Sequence, residues 1–337
     1  MQERVEDWLR LTPAGLYCVP GDFHIDPVAP VGRAVITHGH GDHARPGSGA
    51  VLATPETLAI MQQRFGEMAG GTLQPTRYGE TLALGELSLT LAPAGHVLGS
   101  AQAVIEYGGS RVVVSGDYKR RPDPTCTPFE PQRCDVFITE ATFGLPVFRH
   151  PPDTHEIEKL LHSVRLFPER CHLVGVNALG KCQRLIALLR SAGYDEPIFM
   201  HGALIALTDL YRRLGVELGS TLPCTDLKPD AFKGRIVLAP PSALGDRWTR
   251  RLPEPVAALA SGWMRVKQRA KARGVELPLV ISDHADWSEL TATLDDVQAG
   301  EIWVTHGREE ALVHYATTRG LRARALALAG FGDEEEE

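Results

Sequence analysis

Apolar residues in this chain gather into short runs, and turn-forming residues bound most of them. Residues 33 to 37, RAVIT, are apolar and β-branched and read as a short buried strand. Before them, residues 15 to 26 (GLYCVPGDFHID) read as strand segments interrupted at Pro20-Gly21. Residues 81 to 92 alternate as a strand pair turning at Gly85-Glu86, and residues 102 to 107 and 111 to 115 form a hairpin around Gly108-Gly109. Three further runs, at 135 to 139, 277 to 282 and 301 to 305, read as buried strands. A helix is predicted over residues 54 to 68, with Thr54 as its N-cap, Pro55 in its first position and apolar residues at 58, 60, 61 and 65. The texture changes at Pro146, Pro151 and Pro152. A helix over 155 to 167, a strand over 172 to 176, a helix opening at Gly180-Lys181, a strand over 197 to 202, a helix over 206 to 215 and a strand over 234 to 243 then follow. That β–α alternation with short turns predicts a second, parallel sheet.

Many of the apolar runs end in an ionisable residue. The run 33 to 37 passes straight into His38, His40, Asp42 and His43, with glycines at 39 and 41 allowing tight turns. Three imidazoles and a carboxylate within six residues are the donors that Zn²⁺ and similar ions take when no thiolate is offered. A single histidine there would read as a satisfied polar loop; the cluster does not. Downstream, His96 follows Pro93-Ala-Gly, Asp117 follows RVVVS-Gly, Glu140 follows DVFIT, Asp283-His284 follows LPLVIS and His306 follows EIWVT. An aspartate at the end of a buried strand is placed to bridge two ions ~3.5–4 Å apart.

Length and composition leave this chemistry in a globular setting. The 337 residues suffice for one large domain or two ordinary ones, with 43% hydrophobic and 23% charged residues. Residues 1 to 15 are charged and lack an apolar signal core, and no apolar run reaches the ~18 residues of a membrane span, so no membrane partner and a cytoplasmic location are expected. Six scattered cysteines without a Cys-x-x-Cys pair argue against a disulfide framework and a thiolate zinc site. The net charge of −7 is unevenly distributed, because residues 333 to 337 are five acids in a row and are expected to form a solvated tail. Between 247 and 273 eight arginines and lysines face one acid, Glu254; this fits a phosphate-facing surface and a solvated helix face equally.

His38-x-His-x-Asp-His43 after a hydrophobic strand resembles the signature of the metallo-β-lactamase superfamily. Strand-Glu140-x-Thr-aromatic-Gly after strand-Gly-Asp117 narrows the resemblance to its β-CASP nuclease branch. GDFHID, Ala-Leu-Gly-Lys181-x-Gln183, Ser261-Gly262-Trp-Met and Ser-Asp-His284-Ala-Asp-Trp resemble the bacterial DNA-ligase-associated exonucleases. The motifs run in order over residues 26 to 309, nearly the whole chain.

The resemblance implies an α/β fold: a metallo-β-lactamase αββα sandwich (residues 1–144 and 278–330) with an inserted α/β β-CASP domain (145–277) and an acidic tail (331–337). It implies two divalent ions, Zn²⁺ favoured and Mn²⁺ next, with His38, His40 and His96 at one site, Asp42, His43 and His306 at the other, and Asp117 bridging. Asp26 would orient a ligand histidine, or else simply form a turn before Pro27. His284 and Glu140 would act in catalysis, with Asp42 counted among the catalytic groups as well as the ligands. Lys181 and Gln183 open a helix that suits either an anion site or an ordinary αβ turn; Ser261 and Gly262 would approach substrate.

The implied activity is metal-dependent DNA exonuclease action, by attack of an activated water on phosphorus, in repair alongside a DNA ligase and a helicase. DNA is favoured over RNA as the nucleic-acid partner. His306 is usual in RNA-processing members and absent from the Artemis-like DNA nucleases, which keeps an RNase J-like ribonuclease as the alternative. A small-molecule thioesterase is disfavoured by the size of the insert, and an inactive scaffold by the completeness of the ligand set.

Overall fold

The computed structural model describes residues 3–225 and 227–326, so the acidic tail expected at 331–337 lies outside the described residues. The described residues divide into two compact units, 3–146 with 284–326 and 147–283.

The first unit holds two sheets. One has six strands in the order Leu9–Thr12, Gly15–Cys18, Phe23–Ile25, Arg33–Val35, Ala50–Ala53 and Thr72–Pro75, antiparallel at its start and parallel from Phe23–Ile25 onward. The other has seven, in the order Arg322–Ala325, Glu301–Gly307, Val136–Ala141, Ser110–Val114, Ala101–Tyr107, Leu87–Pro93 and Thr81–Leu84. Leu16, Ile25 and Val35 of the first sheet share one apolar cluster with Leu89, Ile105, Val112 and Trp303 of the second, so the two sheets stack face to face. On the outer face of the first sheet, helix Pro55–Phe65 buries Leu58 and Met61 against Ile36 and Val51. On the outer face of the second, helices Trp287–Val297 and Glu309–Thr318 bury Leu290, Leu294 and Leu312 against Phe137 and Ile302. Alternation along each strand supplies both apolar layers.

Strand direction explains where the ionisable residues collect. Ser110–Val114, Val136–Ala141 and Glu301–Gly307 are parallel and in register, Val112 opposite Val136 and Val136 opposite Glu301. Their C-terminal ends therefore deliver Asp117, Glu140 and His306 to one edge. In the first sheet Ile25 pairs with Val35, which brings Asp26 beside the start of the histidine cluster. Gly116 (φ 55°) makes the approach possible: a Cβ there would lie 2.6 Å from Thr37 Oγ1.

The second unit carries a six-stranded, wholly parallel sheet in the order Thr221–Pro223, Ile198–Met200, Ile236–Ala239, His172–Gly175, Val256–Ala260 and Leu277–Leu279. The run at 277–282, expected to reopen the first unit, instead pairs with Val256–Ala260. The unit boundary accordingly falls at 283/284 rather than 277/278, and at 146/147 rather than 144/145. The hydrophobicity of an edge strand does not say which sheet it joins. Among the described residues no helix is long and apolar enough to cross a membrane.

Candidate metal centre

The centre is built on Asp117. Its carboxylate is 1% exposed, and neither oxygen has a hydrogen-bond partner. Imidazole nitrogens surround it instead: Oδ2 lies 3.4 Å from His38 Nε2, 3.2 Å from His43 Nε2 and 3.9 Å from His96 Nε2, and Oδ1 lies 3.7 Å from His306 Nδ1. Asp42 Oδ2 is 3.4 Å from His43 Nε2, and His40 Nδ1 is 2.9 Å from His96 Nε2. Among the described residues of the first unit, three groupings have donor atoms close enough to share one ion: His38, His40, His96 and Asp117; His43, Asp117 and His306; and Asp117, Glu140 and His284. Asp42 sits beside the second grouping through His43.

These separations test whether a metal fits. Two ligands at ~2.1 Å from a tetrahedral ion stand about 3.4 Å apart. The His38 and His43 gaps to Asp117, 3.4 and 3.2 Å, are near that value, and those of His306 and His96, 3.7 and 3.9 Å, are somewhat longer; apart from the His43 gap, at the outer edge of hydrogen-bond range, they are too long for hydrogen bonds. Ring tautomers agree. Thr37 Oγ1 donates to Asp26 Oδ2 (2.6 Å) and lies 3.1 Å from His38 Nδ1, so a proton on Nδ1 leaves the Nε2 lone pair of His38 toward Asp117. Asp26 Oδ2 lies 2.8 Å from His43 Nδ1 and does the same for His43. Asp26 also accepts from the Thr37 N–H at 2.7 Å, in a left-handed backbone conformation (φ 44°). Orientation of a ligand ring by a carboxylate is the usual support of a metal site.

Protons alone balance this cluster poorly. Burial, then the neighbouring histidines, hold His38 well below the usual imidazole range. Burial opposes a charge on His43 too, but Asp117 and Asp42 outweigh it and raise its pKa well above the usual value. Burial pushes Asp117 up to about 7 despite the pull of His43. Buried carboxylates and imidazoles in mutual conflict are what a divalent cation resolves.

His284 and Glu140 stand beside the cluster. Glu140 Oε1 accepts from the Tyr118 N–H at 2.8 Å, and Oε2 lies 3.1 Å from His284 Nδ1. Glu140 sits where the sheet register slips: Thr139 pairs with Val304 but Ala141 with Gly307, so Thr305 and His306 together face it. The extra residue is absorbed by His306 in a left-handed conformation (φ 55°), a bulge that re-aims both side chains.

Sequence reasoning missed the groups behind these residues. Thr37 fixes two side chains. Buried Lys119 donates to the His284 carbonyl (2.8 Å) and to Glu289 (2.9 Å). The legible signal was Asp286-x-x-Glu289, a capping box opening helix Trp287–Val297.

In the second unit the four expected substrate contacts are used internally. Lys181 is buried, with Nζ 3.1 Å from Asp283 Oδ1. Gln183, expected to meet substrate, is instead fully buried: it caps the Gly180 N–H and donates to the Ala178 carbonyl and Thr208. Ser261 caps the Trp263 N–H, and Gly262 is buried at the start of the 3₁₀ turn Gly262–Arg265. His201 caps helix Gly202–Arg213, a structural use.

Residues 26–172 match the metallo-beta-lactamase superfamily. A probable DNA ligase of Opitutus terrae is 27% identical over 325 residues, 93% of this chain and 30% of its own length. The chain thus spans under a third of that relative. A ribonuclease of Thermus thermophilus is 27% identical over 393 residues, 92% of this chain and 89% of its own length. Among solved structures, a protein of unknown function from Enterococcus faecalis has a TM-score of 0.59 at 14% identity, covering 88% of this chain and 79% of that one, a likeness of fold alone.

Proposed function

We propose, from the premise that this chain carries a metallo-β-lactamase domain, that it is a metal-dependent phosphodiesterase of the β-CASP kind that shortens DNA strands. The observation that carries the reading is the buried, hydrogen-bond-free carboxylate of Asp117 ringed by imidazoles, with the His284–Glu140 pair beside it. His38, His40 and His96 would hold one ion, Asp42, His43 and His306 the other, and Asp117 both. Imidazole and carboxylate donors suit Zn²⁺ first and Mn²⁺ next. When bound, such ions acidify a water and neutralise charge on phosphate oxygens.

The chain's own residues supply the rest. Glu140, fixed by the Tyr118 N–H, faces His284 Nδ1 and stabilises the imidazolium. His284 would then give the proton on Nε2 to the departing oxygen, a contribution of about 10²–10⁴ in rate. Asp26 and Thr37 keep His38 and His43 in the tautomers that present Nε2.

DNA is favoured because a relative aligned over nearly all of this chain is named a probable DNA ligase, which also supports work alongside ligation. Ribonuclease action is the second reading, favoured by the Thermus relative's name and by His306 within the cluster. The test is a matched digestion of end-labelled single- and double-stranded DNA, single-stranded RNA and end-blocked DNA with Zn²⁺ or Mn²⁺. Stepwise shortening of DNA with RNA spared supports the first reading; equal or faster cutting of RNA moves the protein to the second; no cutting of either sinks both.

A further inference from the structure

One face of the second unit's sheet differs from the rest of the molecule. Leu173 pairs with Val237, and Leu259 lies on the same side two registers along, so these side chains point to a common face. Two crossovers cover it. The first contains the 3₁₀ turns Pro241–Gly245 and Arg247–Arg251; it buries Ala243 and Leu252 against Leu173 and Val237. The second contains Gly262–Arg265 and helix Lys267–Ala272; it buries Met264 and Ala270 against Leu259. Leu244 packs into both apolar clusters, so the crossovers lie side by side.

Their outward positions are predominantly cationic, with Asp246 and Glu254 as exposed acids among them. Arg247, Arg250, Arg251, Arg265, Lys267 and Lys271 are all exposed, and none forms an ion pair with a described residue. Elsewhere Arg111, Arg120 and Arg170 sit against carboxylates. Within the layer Arg269 stacks on Trp263, 4.2 Å from the ring centroid, and Trp263 meets Phe148 edge to face at 5.1 Å. A stacked guanidinium is pre-organised to give its N–H fork to a phosphate.

We propose that this cationic layer over the second unit's sheet binds the sugar–phosphate backbone of a nucleic acid, independently of its base sequence. The proposal rests on the phosphodiesterase reading and deepens it by assigning where the polymer is held. The chain carries a net charge of −7 and repels polyanions as a whole, so a local excess of unpaired cations is where one gains by docking. Each phosphate neutralised releases counterions, and the affinity then falls with salt.

The experiment uses the full chain and a quadruple variant, Arg250→Ala, Arg251→Ala, Arg265→Ala and Lys271→Ala. Anisotropy of a labelled oligonucleotide is titrated in EDTA, where nothing is cut, at several salt concentrations. Turnover of bis(4-nitrophenyl) phosphate with Mn²⁺ reads the metal centre separately, and circular dichroism checks folding. The expected result is binding weakened at least about tenfold, with the slope of log K against log salt shallower by about 3, from four contacts at 0.7–0.9 each. Unchanged affinity and slope overturn the proposal. Tighter binding of a polyglutamate peptide than of the oligonucleotide also overturns it, making the layer a site for acidic protein segments. Salt-dependent oligonucleotide binding lost in the variant, with no turnover of the small diester by either protein, upholds the surface and removes the phosphodiesterase reading instead.

Discussion

Replacing Lys119 with methionine removes a buried ammonium that ties two segments of the first unit together. Lys119 is 1% exposed; it donates to the His284 carbonyl at 2.8 Å and to Glu289 Oε2 at 2.9 Å. Glu289 also accepts from the backbone N–H groups of Arg120, Arg121 and Asp286. Burial would raise the Glu289 carboxyl, but Lys119, the Asp286 N–H and Arg121 more than offset it and hold the pKa at about 2. Against the 4.5 of an unperturbed glutamate, that depression corresponds to about 3 kcal/mol of folding stability. Breaking a buried pair by removing one partner typically costs about 3–5 kcal/mol. The two figures agree, and the three backbone donors left on Glu289 place the expected loss near the lower end. Glu289→Gln should cost a similar amount by stranding Lys119. Because each single change already forfeits the pair, the double variant should lose about what one single loses, a coupling of about 3 kcal/mol. The sign with pH follows: the Glu289 contribution is complete above about pH 4.5 and disappears as pH falls through about 2. Urea unfolding of the four proteins of the cycle at pH 7, repeated for wild type down the acid range, measures both effects. Losses that simply add, within about 0.5 kcal/mol, would refute the argument that this pair acts as one strut.

Three further outcomes follow from the centre. His284→Ala should keep its metal by elemental analysis yet lose about 10²–10⁴ of its rate on oligonucleotides, and unchanged turnover would remove His284 from the chemistry. Asp117→Asn should lose metal together with rate, because the carboxylate belongs to the His38–His40–His96 and the His43–His306 groupings alike; full metal content would rule out a bridge. Asp26→Ala releases His43 Nδ1 and Thr37, and chelator competition should show metal affinity lower by about 10–100-fold; an unchanged affinity would make Asp26 a turn residue only.

How much of this was legible follows from what each residue depends on. Thr54 and Pro55 announced their helix because a cap is a local device: Thr54 accepts from the Thr57 N–H within the same turn. The hairpin at Gly108-Gly109 was legible for the same reason. Leu277–Leu279 was placed in the wrong unit because its partner, Val256–Ala260, is chosen by the fold and not by its own composition. Gln183 stayed between two readings for a related reason: helix-opening Gly-Lys-x-Gln fits an anion site and an ordinary αβ turn alike, and only Gly180 and Thr208 in place show the side chain capping its own helix.

The gathering of ionisable residues around Asp117 was legible for a different reason. Parallel strands in register end at one edge, so ionisable residues that each follow a buried run are brought together by topology, however far apart they lie in the chain. Asp117, Glu140 and His306 meet this way, and a reader needs only the run lengths to expect it. The aim of each side chain was not legible. It depends on the bulge that turns His306 into a left-handed conformation, on Thr37 reaching both Asp26 and His38, and on Lys119 holding the His284 carbonyl. Each of these joins residues on different segments, and none leaves a periodic trace. Pattern therefore carries which residues reach the edge, while the orientation that makes them donors rests on buried polar contacts, the interactions whose loss the strut cycle and the Asp26 substitution measure.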